Sequence, residues 1–206
     1  MNTKILLYKS LIFAIFCSLS AYSQGKAELS LDESTIFWRG NYAVGNGGHE
    51  GTLRFESGIL TQASNGKITG GRFVMDMNTI QNTDLKDKKG QKNIEQHLKS
   101  TDFFDTDKYP TATFTIIKVE PTSLATNFVV TGDLMMKGIT NRITFTAIIT
   151  QQKEAISVKA EPTLIRTLWG ITYKSQNLFD FGAIKNDIIS NAMQIKIDLL
   201  FRKAIK

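Results

Sequence analysis

The sequence predicts an all-β fold: an eight-stranded antiparallel barrel with one short helix in a crossing loop. Three observations carry this. Apolar and polar residues alternate with period two along most of the chain. Turns rich in Gly, Asn and Ser separate the alternating segments. Only one segment, about Gln91 to Lys99, spaces its apolar residues as a helix does, with Ile94 and Leu98 four apart and His97 beside them.

The strands follow in order. Ile36 and Trp38 share one face of the first. Leu53 and Phe55 alternate with Thr52, Arg54 and Glu56 in the second, and Phe73, Met75 and Met77 with Arg72, Asp76 and Asn78 in the third. Phe114 and Ile116 mark the fourth. Phe128, Val130, Leu134 and Met136 line one face of the fifth. Ile143, Phe145 and Ala147 give the sixth, and Ile156, Val158 and Ala160 the seventh. The eighth is the clearest, with Met193, Ile195, Ile197, Leu199 and Phe201 set against Gln194, Lys196, Asp198 and Arg202. Turns are expected at Gly45-Asn46-Gly47-Gly48, Ser64-Asn65-Gly66 and Gly138-Ile139-Thr140-Asn141, and a further turn of helix near Thr167.

Alternation of this kind gives a sheet with one wet and one dry face. A single sheet with a dry face must pack on another sheet or close on itself. Eight closed strands leave an interior that side chains can just fill or that holds one small ligand. Strands of roughly 10–13 residues, rising about 3.3 Å each and tilted by about 40°, make a barrel roughly 25–33 Å deep. The candidate lining is Trp38, Phe55, Phe73, Met75, Phe114, Phe128, Val130, Leu134, Phe145, Ile195 and Leu199. A polar ligand would leave its groups unpaired in such a lumen, whereas a long hydrocarbon would not. The same residues would serve equally in a solid-cored barrel acting as an interaction or structural module, and both readings stand at this point.

The segment Gln96-His97-Leu98-Lys99-Ser100-Thr101-Asp102-Phe103-Phe104-Asp105 joins the helix to a loop that places two Phe between carboxylates. Surface loops are polar as a rule, because their backbone needs water. Two consecutive Phe therefore need an apolar destination, either a corner of the core or the mouth of a cavity. Phe103, Phe104 and Trp169 are the candidate mouth residues.

The N-terminus reads as a secretory signal. Lys4 and Lys9 precede a short apolar run from Ser10 to Leu19, and Ala21-Tyr22-Ser23 supplies a small-x-small cleavage site. The run is shorter than the roughly 20 residues a membrane-spanning helix needs. Phe16 stands before Cys17 where a lipoprotein site needs a small residue. Residues 1–23 are thus expected to be removed, leaving 24–206 as one domain in the periplasm or secreted. Cys17, the one cysteine, leaves with the signal. The net charge of +6 is mildly basic, and Lys86, Lys88, Lys89 and Lys92 cluster in one stretch suited to transient contact with a membrane surface. No basic face interleaved with aromatics points to nucleic acid.

Nothing in the pattern assembles a catalytic constellation. The two histidines, His49 and His97, show no metal-ligand spacing. Asp102, Asp105 and Asp107 lack the glycine and spacing of a calcium loop and read as turn formers. No cofactor and no catalytic residue is expected; a hydrolase using His49 or His97 is the least favoured reading.

Several stretches together resemble the YceI-like family, of the polyisoprenoid-binding periplasmic type. They are Ser34-Thr35-Ile36-Phe37-Trp38, His49-Glu50-Gly51, Gly70-Gly71-Arg72-Phe73-Val74-Met75-Asp76-Met77, the His97 to Asp105 stretch, and Pro110 with Phe114. Thr131-Gly132-Asp133-Leu134-Met135-Met136-Lys137-Gly138-Ile139-Thr140 and Arg166-Thr167-Leu168-Trp169-Gly170-Ile171 complete the set. The resemblance implies a lipocalin-like barrel and a long-chain isoprenoid or similar amphiphilic lipid, carried or sequestered with its tail inside and without catalysis.

Overall fold

The alternating segments pair into one antiparallel sheet that closes on itself. The computed structural model describes residues 25–175 and 188–203. The expected signal segment and Cys17 lie outside the described residues. The strands are β1 (Gly25–Leu29), β2 (Thr35–Tyr42), β3 (Gly48–Gln62), β4 (Ile68–Asn82), β5 (Thr111–Pro121), β6 (Asn127–Met136), β7 (Ile139–Gln151), β8 (Ala155–Ala160), β9 (Thr163–Ile165) and β10 (Ile189–Lys203). One helix, α1 (Lys88–Lys99), lies between β4 and β5 and packs on β4.

Ten strands nonetheless make a ring of eight. Two members of the ring are each built from two short strands. β1 and β2 occupy successive lengths of the same channel between β10 and β3. A 3-10 turn at Leu31–Glu33 interrupts them. The Ser34 hydroxyl fills the break in the ladder by accepting the Leu200 N–H at 3.1 Å. On the other side of β10, β8 and β9 are divided at Glu161-Pro162. Proline has no N–H to give a ladder and is disfavoured inside a strand. β1 and β9 are the two strands beyond the eight read from the sequence.

The long strands carry bulges. The β3–β4 register shifts opposite Thr52 and Arg54, where the extra residues lie in β4 between Asp76 and Gln81, and again between Phe55 and Ser57 in β3; the β5–β6 register shifts between Ile116 and Lys118 in β5. Each shift moves the next side chains to the other face. In β3 the inward residues therefore run Leu53 and Phe55, then Leu60 and Gln62. β10 has no shift from Met193 to its end, so Met193, Ile195, Ile197, Leu199 and Phe201 all face inward.

The β6–β7 hairpin turns at Lys137 and Gly138, both with positive φ (51° and 73°). This is the paired left-handed geometry whose twist matches the flanking strands. The turn is therefore two residues long, and Ile139-Thr140-Asn141, expected within it, already belongs to β7.

The α1 helix starts at Lys88, ahead of the expected Gln91, because Asp87 caps it: its carboxylate accepts the Lys89 and Gly90 N–H groups. His97 and Lys99 lie in its last turn, where the helix dipole favours positive charge. The expected helical turn near Thr167 is a 3-10 turn over Arg166–Trp169.

The alternating strand directions give the barrel two ends. The near end carries the β2–β3 connection, α1, the β6–β7 turn, the 3-10 turn at Arg166–Trp169 and the start of β10. The far end carries the β3–β4, β5–β6 and β7–β8 turns and the end of β10.

Candidate ligand cavity

The barrel is not packed solid. Its lumen holds a cavity of about 200 Å³, measured by where the centre of a water molecule can go. On that measure about 10–15 Å³ holds one water. The wall is almost wholly apolar. Trp38 of β2, Phe55 of β3, Phe73 and Met75 of β4 and Phe114 of β5 line it. So do Val130 and Leu134 of β6, Phe145 of β7, and Ile195 and Leu199 of β10. Four rings run round one side in sequence: Phe55 to Phe73 at 6.5 Å between centroids, Phe73 to Phe114 at 6.3 Å, and Phe114 to Phe145 at 5.7 Å. The only polar atom of Trp38 is satisfied, since its indole N–H donates to the Thr52 carbonyl at 3.2 Å.

The loop after α1 turns its two Phe inward. Its backbone is satisfied locally: Phe104 N–H donates to Leu98 O at 3.1 Å, Asp105 N–H to Ser100 O at 2.8 Å, and Thr106 N–H to Lys99 O at 2.9 Å. Asp105 adopts the left-handed conformation, φ 51°, which Asp tolerates better than most residues. Both Phe103 and Phe104 are 8% exposed and belong to the cavity wall, beside Leu98 of α1. The His97 ring stands edge-on to Phe103 at 5.0 Å and to Tyr173 at 4.7 Å, and its Nε2 is 3.4 Å from Asp102. His97 thus ties the helix end to the loop.

One candidate mouth residue and one candidate lining residue stand outside the wall. Trp169 is wholly buried, and its indole N–H donates to the Leu134 carbonyl at 3.0 Å. It pins the 3-10 turn onto β6 within the core and is not among the residues that line the cavity. Phe128 sits at the far end of β6, opposite Ala147 and Pro121, and packs against the core beyond the cavity.

The wall also contains residues that alternation did not single out. Leu60, Ile80 and Val119 lie past bulges that break the period, and Gly40 shows no side chain to read. Arg166 is the least expected. It is 1% exposed, yet it lines the near end of the cavity with Ser190, Ile189 and Gly40. Its Nε donates to Ser190 O at 3.0 Å, Nη1 to Ile171 O at 2.8 Å and Nη2 to Ile189 O at 3.0 Å. Burial pulls its pKa below the usual arginine value. No pattern in the sequence distinguishes it from a surface arginine.

The remaining polar groups near this end pair among themselves. His49 Nδ1 lies 3.0 Å from Asp84, and Arg39 is 2.6 Å from Glu50. Among the described residues no group of three His, Cys, Asp or Glu side chains is placed to hold a metal ion.

The YceI-like domain family model matches residues 28–201. The UPF0312 protein plu2095 of Photorhabdus laumondii is 42% identical over 53 residues, which span 26% of this chain and 27% of that relative's length. Among solved structures, BcnA of Burkholderia cenocepacia superposes with a TM-score of 0.64 at 20% identity, covering 84% of this chain and 98% of BcnA. A polyisoprenoid-binding domain from Saccharophagus degradans superposes with a TM-score of 0.61 at 15% identity, covering 86% and 98%. At these identities the superpositions speak to fold. A ring of eight strands around an apolar lumen, together with a family match over nearly all the described strands, places this chain in the YceI-like domain family.

Proposed function

We propose that this protein binds a long-chain isoprenoid or similar amphiphilic lipid inside its barrel and carries or sequesters it without chemical change. One observation carries the reading: the lumen holds a cavity whose wall is almost wholly apolar and lined by side chains from nearly every strand. Burying a hydrocarbon tail gains about 0.8 kcal/mol per CH₂ group. Ten such groups would therefore contribute about 8 kcal/mol, the micromolar range, before ordering costs. The polyisoprenoid-binding domain among the structural neighbours supports the same class of ligand.

A binding role rather than catalysis fits the surroundings of the two histidines. His49 is engaged by Asp84, and His97 is wedged between aromatic rings. Export to the periplasm or beyond follows from the N-terminal signal pattern. Lys88, Lys89 and Lys92 on α1, with Lys86 just before it, lie at the near end and suit brief contact with anionic headgroups during loading.

The test is mass spectrometry of an organic extract from the purified full chain, with a mock purification as control. An isoprenoid or other long-chain lipid in near-stoichiometric amount is expected. A protein that copurifies with no lipid and takes up none from vesicles would leave the barrel as an interaction or structural module.

A further inference from the structure

Two arginines line the cavity, and they differ in one respect. Arg39 is about half exposed and paired with Glu50 at 2.6 Å. Arg166 is 1% exposed, and among the described residues no carboxylate pairs with it. Its three partners are the neutral carbonyls of Ile171, Ile189 and Ser190. A guanidinium has five N–H donors and cannot shed its charge in a protein. Three carbonyls therefore leave two donors without a partner among the described residues, and no carboxylate among those residues offsets the charge.

A buried charge normally persists only when it is paired. The carbonyls fix the plane of the guanidinium, which removes the entropy cost of orienting it later. A rigid planar cation in the wall of an otherwise apolar cavity is the kind of sparse polar group that sets a ligand's orientation. Its fork of donors matches a carboxylate or a phosphate, and such charge-assisted bonds are about twice as strong as neutral ones.

Resting on the lipid-binding reading, we propose that Arg166 receives an acidic head group, a carboxylate or a phosphate ester, of the lipid in the cavity. The head lies at the near end beside Gly40 and Ser190, and the tail runs toward the far end. Space exists for it: a Cβ built on Gly40 meets no heavy atom within 4 Å. Arg166 is then a specificity-determining residue as well as a clamp between the 3-10 turn and β10.

The experiment uses the delipidated full chain and three probes with one tail: geranylgeranyl phosphate, geranylgeranoic acid and geranylgeraniol. Wild type is expected to bind at least one of the two acids about tenfold or more tighter than the alcohol, and the tighter acid identifies the source of the charge. Arg166→Gln is expected to erase that preference, weakening the acids at least tenfold more than the alcohol. A purely structural clamp would instead weaken all three probes together. Equal binding of acids and alcohol by wild type overturns the proposal while leaving lipid binding intact. Binding of none of the three overturns the lipid reading itself. If Arg166→Gln does not fold, the crystal structure of wild type with the preferred acid decides. A head within hydrogen-bond distance of Arg166 is expected, and a head held at Arg39 or at the far end overturns the assignment.

Discussion

The side-chain amide of Gln62 donates to the side-chain oxygen of Gln151 at 2.8 Å, joining the far ends of β3 and β7. These strands stand opposite each other in the ring of eight. The bond therefore crosses the lumen rather than running along the wall. Gln62 Nε2 also donates to the Gly66 carbonyl at 2.8 Å in the β3–β4 turn. Gln62 is 6% exposed. The far end thus has a polar latch beyond the apolar cavity, while α1 and the Phe103-Phe104 loop lie at the near end.

Breaking that latch should cost stability in a way that reports its pairing. Gln62→Ala leaves the Gln151 side chain and the Gly66 carbonyl short of a partner and is expected to destabilise by about 1–2 kcal/mol. Replacing both glutamines by Leu removes donor and acceptor together, which can be nearly neutral. Urea denaturation of the two single variants and the double variant gives the coupling directly. Additive losses would mean that the two amides do not act as a pair.

Filling the lumen should separate binding from folding. Ala147 and Val130 both line the cavity. In a solid core, Ala147→Phe or Val130→Trp would overpack and cost about 1–3 kcal/mol or more. Here the new rings have space to enter, so melting temperature should change little while lipid retention falls by at least tenfold. Strong destabilisation of both variants, with no lipid on wild type, would speak for a core without spare volume.

The fold was legible where the period of two runs unbroken. β10 keeps one parity from Met193 to Phe201, and its face can be read residue by residue. β3 was read only as far as Glu56, because the shift at Phe55/Ser57 turns an odd-numbered dry face into an even-numbered one. β1 and β9 were too short for alternation to register at five and three residues. Of the cavity, the large apolar side chains were visible in advance because size and parity both mark them. Trp169 was not separable from a cavity-lining residue, since its full burial and its bond to Leu134 O are tertiary features. Arg166 was invisible for the opposite reason: its burial depends on carbonyls from residues 171, 189 and 190, and no local pattern encodes that meeting.

Gly132 should resist substitution despite lying in a strand, where glycine is ordinarily the weaker choice. It opposes Ile116 across the β5–β6 ladder. A Cβ at this position would collide with the Phe114 ring and the Thr115 carbonyl oxygen. Phe114 stacks on Phe73 at 6.3 Å and cannot swing away without breaking the aromatic run. Gly132→Val is expected to destabilise by about 1–3 kcal/mol in spite of the gain in strand propensity. A thermal melt equal to wild type would show that the Phe114 ring has another rotamer available.

Asp84 should make stability depend on pH in the acid range. Partial burial alone would raise its carboxyl pKa, but hydrogen bonds from His49, the Glu50 N–H and the Asn82 amide outweigh this and hold it below the ordinary value. The folded pKa is therefore lower than the unfolded one, about 3.9. The stabilisation this produces is fully present above the unfolded pKa and is lost as pH falls through the folded pKa. Asp84 fixes the segment between β4 and α1, since Asn82 also accepts the Leu85 N–H at 3.2 Å and Gln91 donates to Leu85 O at 2.7 Å. Asp84→Asn is expected to cost about 1–2 kcal/mol at pH 7. The gap from wild type should hold above the unfolded pKa and narrow as pH falls below it and the native carboxylate takes up its proton. Urea titrations of both proteins at pH 7, 5 and 3 measure it, and a gap that stays constant across that range would mean that the charge of Asp84 contributes nothing and only its shape matters.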